Sequence, residues 1–307
     1  MTTVFIDGAV GTTGLEIRER LAGRTDITLT LLAENRRKDP AARREALNDA
    51  DFVILCLPDD ASREAVTLID NARTRVIDAS SAHRVAAGWT YGFPELPDQA
   101  DKVATATRVS NPGCYPTGFL ALVAPLVAAG LIPADLPLSV NATSGYSGGG
   151  KAMIAAFEND EPATAFRAYA LGLAHKHIAE MTQHAGLTHA PIFAPAVANT
   201  YRGMVVEVPL HLHALPGRPT LAAIEDVLCA AFDGSKLVSV ATGDIGSVDI
   251  EENAGTDRLT LRVCGNDAVG HARLIATLDN LGKGAGGAAV QNLNIMAGVD
   301  PVAGLVF

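Results

Sequence analysis

Charge is scarce in this chain of 307 residues: Asp, Glu, Lys and Arg make up 19% of it, against roughly 25% in an average globular protein. Basic residues are the scarcer sign, 24 against 34 acidic, so the net charge is -10 with the eight histidines neutral. General binders of nucleic acid or anionic membranes are basic, so both classes are disfavoured, although a local basic pocket is not. Cysteine is sparse too. Cys56, Cys114, Cys229 and Cys264 form no CxxC pair, which argues against a disulfide scaffold and for a reduced, cytoplasmic protein. No run reaches the ~18 apolar residues of a membrane span. The N-terminus MTTVFIDGAV lacks the basic region of a signal peptide. Repeats, low-complexity tracts and long linkers are absent as well.

What is present is apolar material, 48% of the chain, enough for about two average domains. Residues 3–6 read as a strand, GAVGTTG as a turn and LEIRERLAG as a helix with an apolar stripe. A strand over 27–32, a helix over about 41–47, a strand over 51–58, a helix from 59 and a strand over 74–80 follow. The third strand, DFVILCLP, is apolar almost throughout, as a sheet covered on both faces requires. Alternation of this kind predicts a doubly wound parallel sheet, a Rossmann-like α/β domain. Beyond about residue 115 the pattern changes. A long apolar helix over 117–129 precedes period-2 segments at 137–143, 203–214 and 257–265, with 272–281 as the closing strand. These predict a second, α+β domain on a mostly antiparallel sheet. The expected division is 1–115 plus 284–307 for the dinucleotide and 116–283 for substrate, catalysis and oligomerisation.

Gly8, Gly11 and Gly14, with Thr12 and Thr13 between them, lie between the first strand and first helix. Glycines there let backbone approach a pyrophosphate at a helix N-terminus. The spacing G-x-x-G-x-x-G is a variant of the usual fingerprint, and an ordinary glycine turn is the plainer alternative. After the second strand, Arg36, Arg37 and Lys38 stand together and suit a 2'-phosphate, pointing to NADP(H). Glu34 beside them leaves room for NAD, and a solvated basic loop is the plain reading. Cys114 lies in SNPGCYPT, at the start of the long apolar helix. The positive end of the helix dipole favours a thiolate there, and first-turn amides can hold an oxyanion, so Cys114 reads as a nucleophile. Cys56, Cys229 and Cys264 sit in apolar stretches and read as core cysteines.

SNPGCYPT, GAVGTTG, SGYSGGGK (144–151), HKHIAEM (175–181) and KGAGGAAVQNLN (283–294) together resemble N-acetyl-gamma-glutamyl-phosphate reductase, in its compact type 2 form. The glycine spacing and cysteine placement are shared with aspartate-semialdehyde dehydrogenases, whereas HKH and QNLN fit the reductase better. The resemblance implies NADPH-dependent reduction of an acyl phosphate to an aldehyde in arginine biosynthesis, by a homo-oligomer, dimer or tetramer. It implies that Cys114 forms a thioester, that His175, with His177 close behind, moves the proton, and that Glu180 orients substrate. Ser144 and Gly145 would line the cofactor and phosphate region, and Asn292 or Asn294 would approach the nicotinamide. Asn111, Ser80 and Arg84 would contact substrate. Asp78-Ala-Ser80 leads to His83-Arg84, where the family pattern has an aromatic residue in place of His83.

The chemistry of the residues agrees. A thiolate displaces phosphate from an acyl phosphate, and the thioester accepts hydride better than a carboxylate does. The phosphate needs cations or amides nearby, for which Lys151 and Arg202 are candidates. Three rivals compete. His175, His177 and Glu180, or His211 and His213 on one strand face, could suggest zinc, but the expectation is no metal. Aspartate-semialdehyde dehydrogenase is the enzymatic alternative. A non-catalytic NADP-binding sensor is the third, and the presence of Cys114 speaks against it.

Overall fold

A computed structural model of the chain describes residues 1–159, 164–243 and 245–307. These form two compact units. Residues 1–94, 98–112 and 285–305 make the first, and residues 95–97, 113–284 and 306–307 the second. The chain passes from one to the other between Pro112 and Gly113.

The first unit holds strands β1 (Thr2–Asp7), β2 (Ile27–Thr30), β3 (Phe52–Leu55), β4 (Arg75–Asp78), β5 (Thr90–Tyr91) and β6 (Arg108–Ser110). Their order is β2-β1-β3-β4-β6-β5 and every pair is parallel. Helices α1 (Thr12–Leu21), α2 (Pro40–Asp49), α3 (Asp59–Leu68) and α4 (Gln99–Thr105) connect them. Local chemistry sets the helix starts. The Asp39 carboxylate accepts from the amides of Ala41 and Ala42, and Pro40 takes the first position, where a missing N–H costs nothing.

The second unit is built on helices α5 (Cys114–Ala128), α6 (Gly150–Glu158), α7 (His177–His184) and α8 (Leu221–Ala231). Its strands are β7 (Ser139–Gly145), β8 (Phe166–Ala168), β9 (Ile192–Ala198), β10 (Met204–His211), β11 (Val238–Val240), β12 (Leu259–Asn266) and β13 (His271–Leu278). They form one sheet in the order β11-β12-β13-β10-β7-β9-β8. It is mostly antiparallel, with β7–β9 and β11–β12 parallel. Along β10, Met204, Val206, Val208 and Leu210 are buried while Pro209 and His211 are exposed, the alternation of a sheet covered on one face. Helix α5 is that cover. A Cβ on Gly118 would come within 2.8 Å of Val206 Cγ2, so glycine lets helix and sheet meet closely.

Three details differ from the sequence reading. Helix α5 begins at Cys114, not at Thr117, because Pro116 needs no hydrogen bond within a first turn and so fits inside it. β13 is an interior strand between β12 and β10, not a closing one. β10 ends at His211 and His213 lies in the 3-10 turn Leu212–Ala214, so the two histidines do not share a strand face.

The chain returns to the first unit through a π-turn at Gly282–Gly286 and helix α9 (Gly287–Ala297). On one face of the parallel sheet, Val4, Ile6, Ile54 and Ile77 pack with Ile17, Leu21 and Val103 and with Ala289, Val290 and Leu293 of α9. On the other, Phe5, Val53, Leu55 and Val76 pack with Ala46, Leu47 and Ala65. Adjacent residues of one strand thus fill opposite cores, each large side chain stabilising by roughly 1.5–3 kcal/mol.

Candidate active site

In the first unit the glycine turn has the shape that a pyrophosphate needs. Gly8 has φ +89°, and a Cβ there would lie 2.2 Å from the Cys56 carbonyl oxygen. A Cβ on Gly14 would lie 2.6 Å from the Gly8 carbonyl oxygen. Gly11 caps α1 without a side-chain bond, so the first-turn amides at Thr12 and Thr13 carry no side-chain cap. Arg36 and Arg37 are exposed and loosely held, Arg36 3.4 Å from Glu45 and Arg37 3.4 Å from the Leu32 carbonyl.

At the carboxyl ends of β4 and β6, Ser80 Oγ donates to the buried carboxylate of Asp78 at 2.8 Å. Arg84 Nε donates to the Asn111 carbonyl at 3.0 Å. The Asn111 amide donates to Ala285 O and accepts from Asn292 Nδ2, so its side chain braces the backbone around it. Asn292 Nδ2 also donates to Gly92 O, at 2.9 Å, which leaves Asn292 Oδ1 buried with no donor among the described residues. Asn294 differs. Its amide holds Pro301 O, Ala303 O and Arg24, so it pins the C-terminal turn.

In the second unit Cys114 is the first residue of α5, at the positive end of a helix of 15 residues. Around it stand side chains that neither spacing nor periodicity singled out. The Tyr115 hydroxyl donates to Ala196 O at 2.9 Å, and the Tyr169 hydroxyl donates to Tyr115 at 3.3 Å. Burial, with Tyr169 and the Cys114 thiolate adding to it, pushes the Tyr115 phenol well up. Burial, with Cys114 adding to it, takes Tyr169 to about 12. Both are neutral phenols beside the sulfur. Ser144 is within hydrogen-bonding reach of Tyr115.

His175, in the turn before α7, stacks edge-on against Tyr169, Phe193 and His177, the last at 4.5 Å between ring centres. Its Nδ1 accepts the His177 backbone N–H at 3.2 Å. An amide can only donate, so the His175 proton sits on Nε2. Glu180, one turn into α7 and buried, accepts the Gly113 N–H at 3.1 Å and lies 3.8 Å from His177 Nε2. It thereby holds the residue that caps the cysteine helix.

Gly145 packs on the backbone of Tyr201 and Arg202, and Arg202 pairs with buried Asp279 at 3.3 Å. Asn280 links Ser147 and the Gly203 amide, knitting the three segments together. Lys151 stands exposed at the start of α6. Gly284 and the buried pair Lys283–Glu95, at 2.7 Å, went unassigned in sequence, although the KGAGGA run was the available signal. Of the other cysteines, Cys56 has a thiol that burial, then Asp78 and Asp7, push to about 12. Cys229 is exposed and Cys264 half-buried, so these two are not core residues. Each lies on an amphipathic element whose apolar neighbours misled the reading.

The first unit carries the parallel sheet and glycine turn of a dinucleotide-binding domain, and the second starts its first helix with a cysteine. Residues 3–105 match the semialdehyde dehydrogenase NAD-binding domain and residues 114–280 the semialdehyde dehydrogenase dimerisation domain. The chain is 50% identical over 302 residues, 96% of each, to N-acetyl-gamma-glutamyl-phosphate reductase 2 of Pseudomonas putida. It is 48% identical over 317 residues, 98% of each, to the protein of the same name in Nostoc. The fold is similar to that of aspartate semialdehyde dehydrogenase II of Vibrio cholerae, with TM-score 0.73, 16% identity and 97% and 98% of the two chains covered. The chain belongs to the N-acetyl-gamma-glutamyl-phosphate reductase family, within the semialdehyde dehydrogenases, and is an oxidoreductase with a nicotinamide-cofactor domain. Among the described residues no helix is long and apolar enough to cross a membrane.

Proposed function

We propose that the chain reduces N-acetyl-γ-glutamyl phosphate to N-acetylglutamate semialdehyde with NADPH, through a thioester on Cys114. One observation carries this reading: a cysteine at the first position of α5, beside Tyr115 and Tyr169, whose rings in turn pack on His177 and His175. The helix dipole favours the thiolate, which attacks the acyl carbon while the C–O bond to phosphate breaks. First-turn amides of α5 suit the negative oxygen that develops. His175, neutral with its proton on Nε2, can donate a hydrogen bond to the departing phosphate oxygen, and the phosphate takes its proton from solvent. Re-forming the carbonyl of the reduced intermediate expels the Cys114 thiolate and frees the aldehyde.

The turn at Gly8, Gly11 and Gly14, which a Cβ would fill, fits a dinucleotide pyrophosphate, and Arg36 and Arg37 suit a 2'-phosphate. Donor-less Asn292 Oδ1 suits an amide N–H such as that of a carboxamide. A reduced nicotinamide, when bound, would supply the hydride that takes the thioester to the aldehyde level. The family resemblance assigns substrate contact to Ser80, Arg84 and Glu180, and the phosphate's need for cations adds Arg202 and Lys151. The dimerisation-domain match supports a homo-oligomer, and reliance on a free thiol supports residence in the cytoplasm.

The test is oxidation followed at 340 nm with NADP, phosphate and either semialdehyde. Turnover of the acetylated compound is the expected result. Faster turnover of aspartate semialdehyde moves the assignment to the sibling enzyme. No turnover with either, despite NADP binding, leaves a sensor.

A further inference from the structure

The loop after β4 brings together Asp78 and His83, to which the reaction above gives no role. The Asp78 carboxylate, fully buried, accepts from Ser62 Oγ at 2.7 Å, Ser80 N at 2.9 Å, Ser80 Oγ at 2.8 Å and His83 Nδ1 at 2.6 Å. A carboxylate only accepts, so the His83 proton is on Nδ1. The same ring stacks on Trp89 at 4.0 Å and 11°. Trp89 in turn packs on the core formed by Phe5, Leu55 and Val76. His83 is therefore fixed at its edge by an acceptor and on its face by a rigid ring.

The adjacent residue, Arg84, gives Nε to the Asn111 carbonyl at 3.0 Å and Nη2 to Ala79 O at 3.4 Å. Asn111 N donates back to Asp78 O at 2.7 Å. The loop is thus closed on Asp78 through both its side chain and its backbone. Asn111 leads through Pro112 and Gly113 to Cys114. We propose that His83 is a positioning residue: its bond to Asp78 sets the turn that aims Arg84 at the Asn111 carbonyl, and so fixes the start of the segment that carries the nucleophile. It rests on the reductase reading above and deepens it. A phenylalanine at this position could stack on Trp89 but has no N–H to donate to Asp78. Histidine does both here.

Two substitutions separate the two contacts. H83F keeps the stacking ring and loses the nitrogen, whereas H83N places an N–H near the Nδ1 position and loses the ring. The primary measurement is solvent exchange of the Arg84 Nε–H by NMR, which needs no substrate. In H83F that exchange should quicken about tenfold, the worth of one hydrogen bond, and in H83N it should stay within about threefold of wild type. In turnover, H83F should lower kcat about tenfold with little change in the KM for NADP, and H83N should recover it. H83F combined with R84K should lose no more than R84K alone, since one residue acts through the other. Wild-type exchange in H83F, equal damage in H83N, or additive losses would each overturn the proposal. Should H83F not fold, H83Q takes its place, its amide one bond too long to meet Asp78 from the same backbone. If the wild-type enzyme turns over neither semialdehyde, the reductase reading fails while the exchange experiment still decides on His83.

Discussion

Gly284 lies directly against Cys114: a Cβ built on the glycine would stand 2.9 Å from Cys114 Cβ and 2.9 Å from the Asp279 carbonyl oxygen. Neither neighbour can yield without moving the first turn of α5 or the end of β13. G284A should therefore cost roughly 1–3 kcal/mol of stability by overpacking. It should also reduce kcat/KM by more than that stability loss explains, because the sulfur itself is displaced. Thermal unfolding and steady-state rates on the same preparation check this. Wild-type rates with an unchanged midpoint would show that the contact relaxes freely.

The cysteines should separate chemically. Only a thiolate alkylates, and Cys56, held at about 12 by burial and then by Asp78 and Asp7, is a neutral thiol at any pH the fold survives. Burial, with Glu225 and Asp226 adding to it, pushes up exposed Cys229 as well. Iodoacetamide near pH 7.5 should label Cys114 first, Cys229 more slowly and Cys56 not at all. Peptide mapping should show loss of activity tracking the Cys114 label alone. C114S should retain NADPH binding and lose turnover.

The two histidines should not be equivalent. His175 carries its proton outward on Nε2 because Nδ1 accepts from the His177 amide. H175N preserves an acceptor for that amide and removes the outer nitrogen. Its kcat should fall about 10²–10³-fold, the range for a lost hydrogen-bond donor to developing charge, and H177N should fall less. The reverse order of losses would transfer the role to His177.

Arg36 and Arg37 are exposed, with 3.4 Å contacts that a phosphate can displace. R36Q and R37Q should each raise the KM for NADP about tenfold, the worth of one charge-assisted contact, and leave that for NAD nearly unchanged. The NADP penalty should shrink as salt rises. Equal effects on both dinucleotides would return these residues to a plain solvated loop.

Much of the architecture was legible because it repeats along the chain. Strands buried on both faces are apolar without interruption, as in Phe52–Leu55, and those of the one-sided sheet alternate, as in Met204–His211. Strand order was not legible, so β13, which reads as an edge, is interior: the pattern along a strand says which faces are buried, not which neighbours it has. In the candidate site, Cys114 and the glycine turn were legible from a thiol at a helix start and from turn geometry, whereas His175 was reached only through the family resemblance. Tyr115 and Tyr169 were not. Each looks like an ordinary core aromatic until the fold brings two phenols, 54 positions apart in sequence, to 3.3 Å. Asn111 was expected to meet substrate, yet both ends of its amide are engaged with Ala285 and Asn292. Such a partnership between distant segments leaves no periodic trace.

Helix α9 gives Ala289, Val290 and Leu293 to a sheet whose strands all lie before residue 111. During synthesis, the part of that face not covered by α1 and α4 must therefore stay open while residues 113–284 are made. The missing lid emerges only after the second unit's residues, so a nascent chain without α9 should display that patch to chaperones.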